Sequence, residues 1–158
     1  MSVPCVYGEQ MQEMTSSQAR FAFPSIQDAA ASHEPTRITR RRGTAAVLVS
    51  EDDFRALLDR FVFSPEVFFE NASVSIWLPE LSIWGRGRSF CEAQDDLLDE
   101  IDQLLALVSA DQRMRTAPET VERLPCIYRL AHVKDDASRL ALLFATPKAE
   151  PRPAMAGA

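Results

Sequence analysis

Apolar and polar positions along the chain change period several times, and each change predicts a new element. Ser16 or Ser17 stands as an N-cap ahead of Gln18, Ala19 and Arg20, and Pro24 breaks that first helix and opens a second over Ser25 to Ala31. Thr36 to Arg41 and Thr44 to Ser50 read as two strands joined by a turn at Arg42-Gly43. The second sets Ala45, Val47 and Val49 against Ala46 and Leu48, apolar on both faces, which predicts a central strand covered on both sides. Ser50 caps a further helix, with Glu51, Asp52 and Asp53 in its first turn and Phe54, Leu57, Leu58 and Phe61 at helical spacing.

Phe63-Ser64-Pro65 ends that helix, and the period then drops to two. Ser73 to Leu78 alternates Val74, Ile76 and Leu78 against Ser73, Ser75 and Trp77, and Leu81 to Trp84 follows through Pro79-Glu80. Gly85-Arg86-Gly87-Arg88, a lone G-x-G, is expected to end this hairpin rather than to hold a nucleotide. Ser89 caps a long helix in which Phe90, Ala93, Leu97, Ile101, Leu104, Leu105 and Val108 form one stripe. Glu92, Asp95, Asp96, Asp99, Glu100 and Asp102 fall largely outside that stripe, as an acidic outer face. Beyond Pro118, Cys126 to Val133 is expected as a strand, and Ala137 to Phe144 as a short helix opened by Asp135 and Asp136.

These elements make an α+β fold: a helix-hairpin-helix unit, then a small β-hairpin plus α-helix domain. The expected divisions are a flexible start over 1–10, a first domain over 11–61, a second over 62–145 and a disordered tail over 146–158. At 158 residues, with 46% hydrophobic and 25% charged positions, the chain can build an ordinary core. Its net charge of -6 speaks against a uniformly basic nucleic-acid coat. Charge is uneven, however: residues 1–50 hold five arginines against four acids, and residues 51–158 hold twelve bases against nineteen acids. Arg37, Arg40, Arg41 and Arg42 crowd into one stretch of the first part.

Cys5, Cys91 and Cys126 are odd in number and far apart, which indicates neither a disulfide framework nor a zinc site and fits a reducing cytoplasm. No apolar run is long enough for a membrane span, and the first residues lack a signal-peptide pattern. His33 and His132 are the two histidines, and no nucleophile motif accompanies them, so neither an enzyme, a metal site nor a cofactor is expected.

Several of these residues carry a resemblance. Ser16-Ser17-Gln18-Ala19-Arg20, Ile38-Thr39-Arg40 with Gly43, Ala46-Val47-Leu48-Val49-Ser50, and Glu51-Asp52-Asp53-Phe54 with Leu57 and Leu58 are similar to the N-terminal domain of Phd/YefM antitoxins. Residues 73–101 resemble HicB-type antitoxin domains through Pro79-Glu80-Leu81, Gly87 and Ser89-Phe90-Cys91-Glu92-Ala93. The resemblance implies a type II antitoxin that dimerises, binds operator DNA and neutralises a RelE-like ribonuclease toxin. Arg20 and Arg40 match the family's DNA-contacting positions, with Ser16, Ser17, Arg41 and Arg42 beside them as phosphate-binding candidates. Toxin binding would fall to the second domain, with Phe61, Phe63, Trp77 and Trp84 as anchors and Asp95, Asp96, Asp99 and Asp102 facing a basic partner.

Each assignment has a plainer reading. Arginines at a strand end also solubilise an edge, and acids on an amphipathic helix are commonly its solvated side. Phe61, Phe63, Phe68 and Phe69 would then mostly be core. The alternative function is a dimeric protein-interaction module that does not bind DNA.

Overall fold

The computed structural model describes residues 11–145, so the expected flexible start and disordered tail, with Cys5, lie outside the described residues. Within them the protein is α+β, with seven helices and two three-stranded sheets. It divides between Leu57 and Leu58 into two units.

Unit 1 begins with a strand that the hydrophobic pattern does not announce. β1, Gln12–Thr15, is polar, yet it pairs in parallel with β2, Thr36–Thr39, which pairs antiparallel with β3, Ala46–Leu48. Parallel neighbours need a crossover, and two helices supply it: α1, Ser16–Phe21, and α2, Phe23–Ala31. Thr15, rather than Ser16 or Ser17, is the N-cap of α1. Its hydroxyl accepts from the Gln18 amide, while the Gln18 side chain accepts from the Thr15 amide at 2.8 Å. Pro24 opens α2, as its fixed φ favours.

β1 makes β2 the central strand and leaves β3 at the edge, which corrects the expectation of a covered second strand. Val47 is 51% exposed. Both hairpin strands are also shorter than expected, and residues 40–45 form an open loop in which Gly43 takes φ +115°. Ser50 caps α3, Glu51–Leu58, by accepting from the Asp53 amide at 3.1 Å. Leu58 is buried, Phe54 half-buried and Leu57 exposed, while Phe61 lies beyond the helix end.

Unit 2 is built on a meander of β4, Glu66–Glu70, β5, Ser73–Leu78, and β6, Ile83–Gly87. Its inner face, led by Val74, Ile76 and Leu78, is covered by α4, Phe90–Ala110, through Ala93, Leu97, Ile101 and Val108. The predicted stripe of α4 is therefore the buried one, and Ser89 caps the helix as expected. Gly85 and Gly87 belong to β6 rather than ending the hairpin, and they explain why α4 can lie so close. A Cβ on Gly85 would sit 2.3 Å from the Ala93 carbonyl oxygen, and one on Gly87 would sit 2.5 Å from the Ala93 nitrogen.

Two further helices follow: α5, Gln112–Thr116, and α6, Pro118–Ala131. The expected strand at Cys126 to Val133 is the end of α6 and the turn after it, with Cys126, Ile127 and Leu130 buried at helical spacing. Pro125 inside the helix masks that period, because proline removes a donor and reads as a break. The short helix α7, Asp136–Leu143, is as expected, capped by Asp135. Arginines take up carbonyls at the end of α4 and in the turn between β5 and β6: Arg115 donates to Val108 and Ser109 at 2.9 and 2.6 Å, and Arg123 to Leu81 at 3.2 Å.

Replacing Gly85 with Ala should push α4 off the sheet. Urea unfolding of the Gly85→Ala variant is expected to show a loss of about 1–3 kcal/mol, the usual cost of overpacking. Gly43→Ala, where a Cβ meets nothing within 4 Å, should cost only its positive-φ strain.

Candidate functional site

Ser16 joins the start of α1 to the end of β2. Its hydroxyl donates to the Thr39 carbonyl at 2.9 Å, fixing the first residue of α1 beside the residue that precedes Arg40. Ser16 is thus partly buried and committed to the fold, whereas Ser17 stays exposed. Arg20 sits in the last turn of α1, not at its start, so it does not reinforce an anion site at the helix N-terminus. Arg40, Arg41 and Arg42 lie in the loop after β2. Strand alternation therefore does not divide them between two sheet faces, as a longer strand would have done.

Pairing separates these arginines from the other bases of unit 1. Arg37 lies 3.7 Å from Glu13, and Arg55 lies 2.6 Å from Glu51. Arg20, Arg40, Arg41 and Arg42 are exposed and have no ion-pair partner among the described residues. On the α2 side, His33 takes φ 64° and brings its Nδ1 to 2.8 Å from the Asp53 carboxylate, which also accepts from the Ser50 hydroxyl at 2.7 Å.

The candidates in unit 2 fall into separate groups. Phe63, 4% exposed, is in the core, and Phe61 packs half-buried against it, so neither offers an open anchor. Arg129 holds this segment by donating to the Phe61 carbonyl and lying 3.3 Å from Asp59. Phe68 and Phe69, by contrast, are exposed. On the outer face of the sheet, Trp77 and Trp84 pack with ring centroids 4.8 Å apart, and Phe68 lies 5.8 Å from Trp84. The Arg86 guanidinium lies over Trp84 at 5.8 Å.

The acidic residues of α4 are not equivalent either. Asp96 accepts from the Arg86 amide at 2.8 Å, and Asp102 bonds Arg139 at 2.6 Å, so both are used within unit 2. Asp95 and Asp99 are exposed and have no hydrogen-bond or ion-pair partner among the described residues, on the side of α4 turned away from the sheet. The aromatic face and these two acids therefore point in opposite directions, and one flat partner surface meets one or the other. Glu66 and Glu70 on β4 and Arg86 on β6 flank the aromatic group; the two glutamates have a signal in the sequence, the charge that brackets Glu-Val-Phe-Phe-Glu.

Burial, then the charge of Glu80, pushes the Cys126 thiol up, which keeps it protonated and unreactive at neutral pH. Among the described residues no group of three His, Cys, Asp or Glu could hold a metal ion, and no helix is long and apolar enough to cross a membrane.

Residues 11–65 match the profile of the family described as antitoxin Phd_YefM, type II toxin-antitoxin system. In fold the chain is similar to a crystal structure of an antitoxin part of a toxin/antitoxin system from Syntrophomonas wolfei subsp. wolfei. The TM-score is 0.72 at 17% identity, over 84% of this chain and 96% of that one. None of the curated proteins matches the chain. Over residues 11–65 the chain is thus similar to the Phd/YefM-type antitoxins, and the likeness over the remaining residues is one of fold.

The Ser50 hydroxyl, then His33, hold the Asp53 carboxyl below the usual carboxylate range. A depressed folded-state value means that this contribution is present above the ordinary carboxylate pKa and is lost as pH falls through the lowered one. An NMR titration should place Asp53 below the usual carboxylate range, and Ser50→Ala should raise it more than His33→Ala does.

Proposed function

We propose that the chain is the antitoxin of a type II pair that acts as a dimer. Unit 1 represses its own operon by binding operator DNA, and unit 2 neutralises a RelE-like ribonuclease toxin. The observation that carries the reading is the set of four unpaired arginines, Arg20, Arg40, Arg41 and Arg42, inside the domain that matches the Phd/YefM family. Phosphate oxygens are the natural partners of such a surface, with Ser17 as an additional donor. The work is binding rather than catalysis, and it is carried out in the cytoplasm.

Dimerisation is supported by how little unit 1 buries. Its wholly buried apolar side chains before α3 are Ala19, Ile26 and Ala30, while Phe21, at 87% exposure, Phe23, Val47 and Leu57 face outward. A unit of this size does not hold itself together on so thin a core, and a second copy would cover the exposed apolar positions. Neutralisation is supported by the charge balance of residues 51–158, twelve bases against nineteen acids, which favours approach to a basic ribonuclease.

Arg20→Ala and Arg40→Ala should each weaken operator binding and lower the slope of log affinity against log salt by roughly one unit per protomer. An unchanged slope in both variants overturns the operator half of the reading and leaves the dimeric interaction module in its place. Coexpression with the product of the adjacent open reading frame should yield a copurifying complex; two proteins that never associate overturn the toxin half.

A further inference from the structure

The two edges of the sheet in unit 2 are not alike. Along β6 the Arg86 amide donates to Asp96 at 2.8 Å, and just beyond it the Arg88 amide donates to Glu92 at 2.8 Å. Carboxylates from α4 therefore occupy two of the donors that a further strand would use on that side. β4 lies at the opposite edge, and among the described residues no backbone group outside β5 pairs with it.

Which groups stand free on β4 follows from alternation. In an antiparallel sheet each residue turns its N–H and C=O to the same side, and successive residues turn to opposite sides. The Arg86 amide points away from β5, so Gly85 and Gly87 face β5 and meet Ile76 and Val74. Ser75 then faces β4 and meets Phe68, which leaves the backbone groups of Val67 and Phe69 on the open edge. Phe69 is 73% exposed there, and Glu66 and Glu70 bracket the strand, exposed and with no ion-pair partner among the described residues.

We infer that β4 is the docking edge for the toxin, which adds an extended basic segment to the sheet as a fourth strand beside Val67 and Phe69. The inference rests on the antitoxin reading and names the surface through which unit 2 acts. Charge decides the occupant. A second copy pairing antiparallel through Glu66–Glu70 in full register would set Glu66 opposite Glu70 twice, which is unfavourable. A strand carrying Lys or Arg opposite the two glutamates, with apolar residues between them, meets both the charges and Phe69. Phe68, Trp77 and Trp84 would continue beneath the side chains of the added strand on the outer face.

The test uses the full chain and the product of the adjacent open reading frame. On complex formation, hydrogen exchange at the Val67 and Phe69 amides should slow by about tenfold or more. Phe69→Pro removes an edge donor at a position where an edge strand tolerates proline, and it should weaken the complex about tenfold beyond Phe69→Ala. Because proline could disturb the hairpin, Glu66→Lys with Glu70→Lys provides a second reading; affinity should fall, with a weaker dependence on salt and an unchanged unfolding midpoint.

If the partner binds but protection appears along Asp95 and Asp99 while the two amides exchange freely, the docking edge is wrong and the antitoxin reading stands. Protection of the same amides in the free chain that grows with its concentration assigns the edge to a second copy and overturns the inference. If the adjacent product does not bind the unaltered chain, the antitoxin reading falls and takes the inference with it.

Discussion

The near-contact between α4 and β6 is the constraint on which unit 2 depends. Two missing side chains, at Gly85 and Gly87, let the backbone of the helix around Ala93 lie against the strand. Ala93, Leu97 and Ile101 then join Val74, Ile76 and Leu78 in one buried cluster, and the core is completed by α6 and α7. The same approach carries Asp96 and Glu92 to the amides of Arg86 and Arg88. Packing and edge protection therefore come from one geometric decision, and a side chain at either glycine would disturb both.

Unit 1 is organised differently. Its local structure is well specified by caps: a reciprocal box at Thr15 and Gln18, a proline at the start of α2, and Ser50 with Asp53 at α3. Its buried apolar surface is small by comparison. Capping terms of about 1 kcal/mol each fix where helices begin but do not replace a core. Local order and global stability thus rest on different interactions in the two halves of the chain.

Legibility followed the same physics. Elements with a full apolar stripe and a cap, such as α4 and α7, could be read directly, and so could β5 with its strict alternation. β1 could not, because a short polar edge strand shows no period and its partner is parallel and distant in sequence. Without β1 in the sheet, the apolar β3 reads as central. α6 was hidden by Pro125, and β4 by two adjacent phenylalanines that break alternation. The arginines of unit 1 were visible by type, but their loop setting was not, since it depends on where β2 stops. Opposed directions for the aromatic and acidic groups of unit 2 emerge only once α4 lies on one face of the sheet.

The carboxylates along β6 carry one more consequence. A sheet that is open on both sides can be extended without limit, strand upon strand, as in a fibre. Here Asp96 and Glu92 take the Arg86 and Arg88 amides, so growth from that side would find two of its donors already spent. The sheet is thereby made one-sided, and any growth by strand addition is directed away from the helix that covers it.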